Sequence, residues 1–241
     1  MTGRNSKKRY AILGPARSGT TLLYRLVKDL SPDYNQGLGL SVEYFQFEVP
    51  GNKVFDNGQE LIQKQGYFND KDKELARRID LLQKYNFQYT VKCIPRHLTL
   101  AVIDCLLQNY KILFCERRDR YDRFLSFCIA FETEVWNNSS KTFEYADDKI
   151  FVTDNILKFY TLHEKKWIWA KKQIKKHVSP NTIWYEDLIK DPGREISEKT
   201  DLKWSDHRSE HYTQMFKLKD RQQKEKMIDN LDYVQKYFLH N

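Results

Sequence analysis

The residues best suited to chemistry begin at Gly14-Pro15-Ala16-Arg17-Ser18-Gly19-Thr20-Thr21, where two glycines frame a turn and hydroxyl residues follow. A strand-to-helix turn of this kind lets backbone N–H groups and a helix N-terminus converge on a phosphate-like anion. Arg17 adds a fork of donors that suits a tetrahedral oxyanion. The plainer reading of the same residues is a tight connection between two elements.

The loop departs from the triphosphate-binding pattern GxxxxGK[ST], in which a lysine reaches the β and γ phosphates. Thr20 stands where that lysine belongs. Phosphoryl transfer relies on that cation and a magnesium ion to offset charge on the transferred group. The positive charge must therefore come from elsewhere, with Arg17 the nearest source.

A second strand-to-helix unit, Ile112 to Ala130 (ILFCERRDRYDRFLSFCIA), places Arg118 at the strand end and Ser126 eight residues on. Arg117, Arg118, Arg120 and Arg123 together also fit an exposed charged turn, and Glu116 also fits an acidic residue closing a nucleotide-hydrolase strand. With both motifs in view, the chain resembles the superfamily of sulfotransferases that use 3′-phosphoadenosine 5′-phosphosulfate (PAPS). GPARSGTTLL is similar to the PxRSGTT loop of its protein-tyrosine and bacterial carbohydrate branches. The resemblance implies a P-loop-containing nucleotide hydrolase-like sulfotransferase fold, and a 5′ phosphosulfate held by Gly14, Arg17, Ser18, Gly19, Thr20 and Thr21. It implies a 3′ phosphate held by Arg118, through charge-assisted bonds of about 1.5–3 kcal/mol each, and by Ser126. WYEDLIKDPGREI (Trp184 to Ile196) resembles a further segment of the family and puts Tyr185 near the adenine; a buried strand-end aromatic is the alternative.

Sulfuryl transfer needs an in-line acceptor oxygen, a base for its proton and cations where charge gathers. No metal is required. Glu43, in Ser41-Val42-Glu43-Tyr44-Phe45, resembles the base-bearing EYF motif of a bacterial carbohydrate branch. His97 is the competing base, because an imidazole titrates near neutrality; it also fits a simple helix start. Lys92 ends an otherwise apolar strand, and strand C-termini face the ligand crevice of open α/β sheets. Arg17 and Lys92 are the expected stabilisers of charge.

These residues need a scaffold, and the pattern supplies one. Arg9 to Gly14 (RYAILG) reads as a buried strand, and Leu22, Leu23, Leu26, Val27 and Leu30 recur at helical spacing after it. Asp70 to Tyr85 reads as a surface helix, Gln88 to Ile94 as a strand, His97 to Asn109 as a helix and Tyr110 to Glu116 as a strand. Helices are expected from Asp119 to about Thr133 and from Asp154 to Lys176, with a strand at Asn181 to Tyr185 between the latter and a charged, mostly helical end. Strands alternating with helices predict an α/β fold whose central parallel sheet is flanked by helices. One domain over 1–241 is expected, with a mobile basic start at 1–8 and a helical part at 200–241.

Composition narrows the function without choosing it. The formal charge of +8 favours an anionic partner, and the basic stretch Lys165 to Lys176 fits a solvated helix face. Cys93, Cys105, Cys115 and Cys128 lie in apolar segments without metal-site spacing and read as reduced core residues. No run approaches a membrane span and no leader-like segment opens the chain, so the cytoplasm is the expected compartment. The expected activity is transfer from PAPS to an acceptor hydroxyl on a glycan, lipid, tyrosyl peptide or small alcohol, with no nucleic-acid partner. The rivals are a P-loop kinase or nucleotide hydrolase and a non-enzymatic polyanion- or nucleic-acid-binding module. Lys217, Lys219, Arg221 and Lys224 either close over the cofactor or form a solvated helix.

Overall fold

The structure, a computed structural model, describes residues 9–30, 54–56, 59–62, 71–84, 90–133, 149–204 and 221–240. Its centre is a four-stranded sheet built from β1 (Arg9–Leu13), β4 (Val91–Cys93), β5 (Tyr110–Glu116) and β6 (Asn181–Trp184), in the order β4-β1-β5-β6. All neighbours run parallel, with Leu13 beside Cys93 on one side and Phe114 on the other. A separate antiparallel pair joins β2 (Val54–Asp56) and β3 (Gln59–Ile62). The strands next to β1 therefore come from later chain on both sides, which opens a crevice at its carboxyl end.

Helices cover both faces, as parallel strands buried on two sides demand. On one face Ala11, Leu13, Val91, Cys93, Ile112 and Phe114 pack with α2 (Lys71–Lys84), α3 (Leu100–Asn109) and α5 (Asp154–Lys175). On the other, Tyr10, Ile12, Leu113, Cys115 and Ile183 meet α1 (Thr20–Leu30), α6 (Tyr185–Lys190) and α7 (Pro192–Lys199). A third cluster joins α4 (Arg120–Glu132) to α5 and the end of the chain through Phe124, Phe127, Ile156, Tyr160, Ile228 and Val234. That end consists of α8 (Arg221–Lys226) and α9 (Leu231–His240). Among the described residues no helix is long and apolar enough to cross a membrane.

Three expected boundaries move. Tyr185 opens α6 rather than ending β6. The strand before His97 is only Val91–Cys93, which among the described residues pairs with β1 alone before the chain leaves the ladder at Ile94. His97 does not begin α3: it closes a 3₁₀ turn, Pro95–His97, and Thr99 caps the helix by accepting the Val102 N–H at 3.2 Å. All four cysteines are free and buried.

Candidate anion-binding and transfer site

The loop between β1 and α1 is shaped by close approaches. A Cβ on Gly14 would lie 2.1 Å from the Cys115 carbonyl oxygen, so β5 passes too near for any side chain there. Ser18 is buried, and its hydroxyl lies 2.7 Å from the Pro15 oxygen and 2.8 Å from the Cys115 oxygen. Its N–H also donates to Pro15 O. Ser18 thus closes the loop on itself and shapes the cradle. Arg17 and Gly19 have φ of 64° and 86°, the left-handed backbone that turns N–H groups toward a concave anion site. Arg17, bearing a Cβ, holds this conformation at a cost of roughly 1–2 kcal/mol.

Lys92 reaches the loop from the neighbouring strand. Val91 and Cys93 face the α2–α3–α5 side, so the alternation of a strand turns Lys92 toward α1. Only 3% exposed, it donates from Nζ to Thr21 Oγ1 at 2.9 Å. Thr20 is buried at the start of α1, whose first turn carries no acidic residue to cancel the positive helix end.

His97 lies near enough to Lys92 and His163 to feel their charge but is a poor base. It is buried, and its Nε2 accepts the Arg96 Nε–H at 3.1 Å. Burial, then Arg96, Lys92, His163 and Arg78, hold its pKa well below the ordinary imidazole value, far from the match to operating pH that proton transfer favours. Glu43 lies outside the described residues.

Arg118 and Ser126 are both present at α4 but differ in setting. Ser126 is buried in the helix, whereas the Arg118 side chain is 50% exposed and grips Asp187 with both terminal nitrogens. Its guanidinium also lies 5.1 Å from the Trp184 ring centre. Glu186 accepts the Arg118 and Asp119 N–H groups, each at 3.1 Å. The arginine run divides: Arg118 and Arg120 are exposed, whereas Arg117 pairs with Asp122, and Arg123 is buried against Glu164 and the Tyr160 hydroxyl. Glu116 accepts from Lys171 at 2.5 Å.

Tyr185 does not offer an open face to an adenine. It is 4% exposed, lies where a Gly19 Cβ would come within 2.4 Å of its Cδ2, and carries the Arg117 guanidinium 4.6 Å from its ring centre. The ring supports the loop, and burial pushes its hydroxyl up to about 12.

The sequence did not mark Arg78 or His163, and for Lys224 it left a closing cation and a solvated helix both open. Lys224 is not solvated: it is 4% exposed and bonds Asp122 at 2.5 Å. Burial lowers its pKa, and Arg117 and Arg17 push the same way. Lys224 and Arg117 thus share the Asp122 carboxylate, with Arg17 close enough to Lys224 to act on it. Lys217 and Lys219 lie outside the described residues. Arg78, on a helix read as a surface element, is fully buried. His163, on α5, accepts the Ala16 N–H through Nε2 at 3.0 Å. Its place on the buried stripe Ile156, Tyr160, His163, Trp167 was visible in the helical spacing; its partner was not.

The two buried histidines make stability fall with acid. Burial, then Arg123 and Arg96, lower the His163 pKa from 6.5 to about 3, and His97 shifts the same way. Below pH 6.5 the unfolded chain binds protons that the folded one refuses, so stabilisation present at neutral pH is lost as pH falls. Urea unfolding at about pH 5 should give a free energy lower than at about pH 7 by about 2 kcal/mol from His163 alone, with His97 adding to it. Equal values at the two pH values would contradict the neutral, buried state.

No protein-family model matches the chain, and no curated protein matches it either.

Proposed function

We propose that the chain is a sulfotransferase that moves a sulfuryl group from PAPS to an acceptor hydroxyl, within a P-loop-like sulfotransferase fold. The acceptor oxygen attacks sulfur, the bond from sulfur to the 5′ phosphate oxygen breaks, and the acceptor proton passes to a base. The products are a sulfate ester and adenosine 3′,5′-bisphosphate. Arg17 and Lys92 stabilise the charge that gathers on the transferring group and the leaving phosphate. Glu43 is the base of choice, since His97 is held at too low a pKa. Arg118 and Ser126 receive the 3′ phosphate, with Arg118 leaving or sharing Asp187.

The observation that carries this reading is Lys92 Nζ on Thr21 Oγ1. The cation missing at Thr20 returns from the next strand, on the hydroxyl that a triphosphate-binding loop gives to magnesium. That arrangement suits metal-free transfer of a group other than a γ phosphate.

Thermal unfolding with adenosine 3′,5′-bisphosphate and no magnesium, beside ATP with magnesium, tests the proposal. The bisphosphate is expected to stabilise the fold selectively, by about 2.7 kcal/mol at a hundred times its Kd. Selective stabilisation by ATP and magnesium would instead favour a kinase or nucleotide hydrolase. Salt-sensitive binding to heparin or DNA without any response to the bisphosphate would favour a polyanion-binding module.

A further inference from the structure

We propose that His163 is a positioning residue for the loop that receives the donor's 5′ group, acting as a neutral acceptor that fixes the Ala16 N–H. The inference rests on the sulfuryl-donor reading, and names a residue that neither loop motif contains.

The geometry is specific. Ala16 precedes left-handed Arg17, so the orientation of its N–H is coupled to the backbone that presents the arginine. Pro15, Ser18 and Cys115 close the far side of the loop. The Ala16 N–H is tied instead to an element 147 residues away, through His163 Nε2 at 3.0 Å. A buried donor deprived of its acceptor is driven to find another, and here the turn before Arg17 would have to rotate.

The type of acceptor matters as much as its place. A carboxylate would hold the N–H more strongly but would set a negative charge beside a site built for an anion. An imidazole accepts without charge, provided it stays neutral. Burial, then Arg123 and Arg96, keep His163 so, with a pKa lowered to about 3. The ring is held by Phe127, with centroids 5.9 Å apart, and the next residue, Glu164, pairs with Arg123 on α4. α5 therefore ties the 5′ loop to the helix that carries Ser126.

The test separates position from general stability. His163→Phe fills the space without an acceptor, and His163→Gln restores one near the Nε2 position. Calorimetric affinities would be measured for adenosine 3′,5′-bisphosphate and for adenosine 3′-monophosphate, which lacks the 5′ group. The Phe variant is expected to bind the bisphosphate roughly 10- to 100-fold more weakly and the monophosphate within about threefold of the unaltered chain. The Gln variant should bind both within about threefold. Should the Phe variant not fold, His163→Asn, whose shorter amide stops short of Ala16, is expected to give the same split. Equal weakening of both ligands, or a Gln variant as poor as Phe, overturns the inference alone. An unaltered chain that binds neither nucleotide overturns the sulfuryl-donor reading and this inference with it.

Discussion

Lys92→Met is expected to lower turnover by roughly 10²- to 10³-fold, the range found when one preorganised charge-stabilising group is removed. Methionine nearly matches the lysine stem in length and suits a side chain only 3% exposed, so the packing beneath α1 is retained while the ammonium is lost. Burying an ammonium is costly, and a strand interior would not hold one for packing alone. Its bond to Thr21 Oγ1 at 2.9 Å puts it at the positive end of α1, where, on the proposed sulfuryl transfer, it would offset the charge growing on the transferred group. kcat and kcat/KM should therefore fall together, and adenosine 3′,5′-bisphosphate, which carries the leaving 5′ phosphate, should bind more weakly as well. Lys92→Arg should not rescue, because a planar fork does not replace a compact point charge in a closed space. Turnover of the methionine variant within about threefold of the unaltered chain would remove Lys92 from the transition state.

What was legible in the sequence is what short-range pattern encodes. RYAIL followed by a glycine turn and a helical stripe specifies β1, the loop and α1, and the structure has them at Arg9–Leu13 and Thr20–Leu30. Asp119 and Thr99 cap helices through their own side chains, signals carried by one residue each. Thr99 and Pro95 also carry the local signal that sets His97 before α3, against the pull of the apolar run behind it. Long-range partners are another matter. Lys224 lies in RQQKEK, which reads as solvated until Asp122, 102 residues earlier, is found beneath it. His163 and Ala16 are joined only because α5 packs beside the loop. Tyr185, open in its motif between an adenine contact and a buried strand-end aromatic, is buried, and only the fold shows that it lies against Gly19.

That contact makes Gly19→Ala damaging on two counts, backbone and packing. At φ 86° an L residue costs roughly 1–2 kcal/mol, and the new Cβ would lie 2.4 Å from Tyr185 Cδ2. The ring cannot swing out, because it is buried with the Arg117 guanidinium over it, and Arg117 is paired with Asp122. Overpacking of this kind adds about 1–3 kcal/mol, so urea unfolding should show a loss of about 2–5 kcal/mol. Affinity for adenosine 3′,5′-bisphosphate should fall by roughly 100-fold or more, since relief requires moving the loop away from Arg117. Arg17→Gly separates shape from charge in the same loop. Glycine accepts φ 64° without strain, so this variant should stay folded and still lose nucleotide affinity. A Gly19→Ala chain as stable and as tightly bound as the unaltered one would mean that the loop does not need its left-handed backbone. An Arg17→Gly chain that binds normally would mean that the loop's shape, and not its arginine, selects the anion.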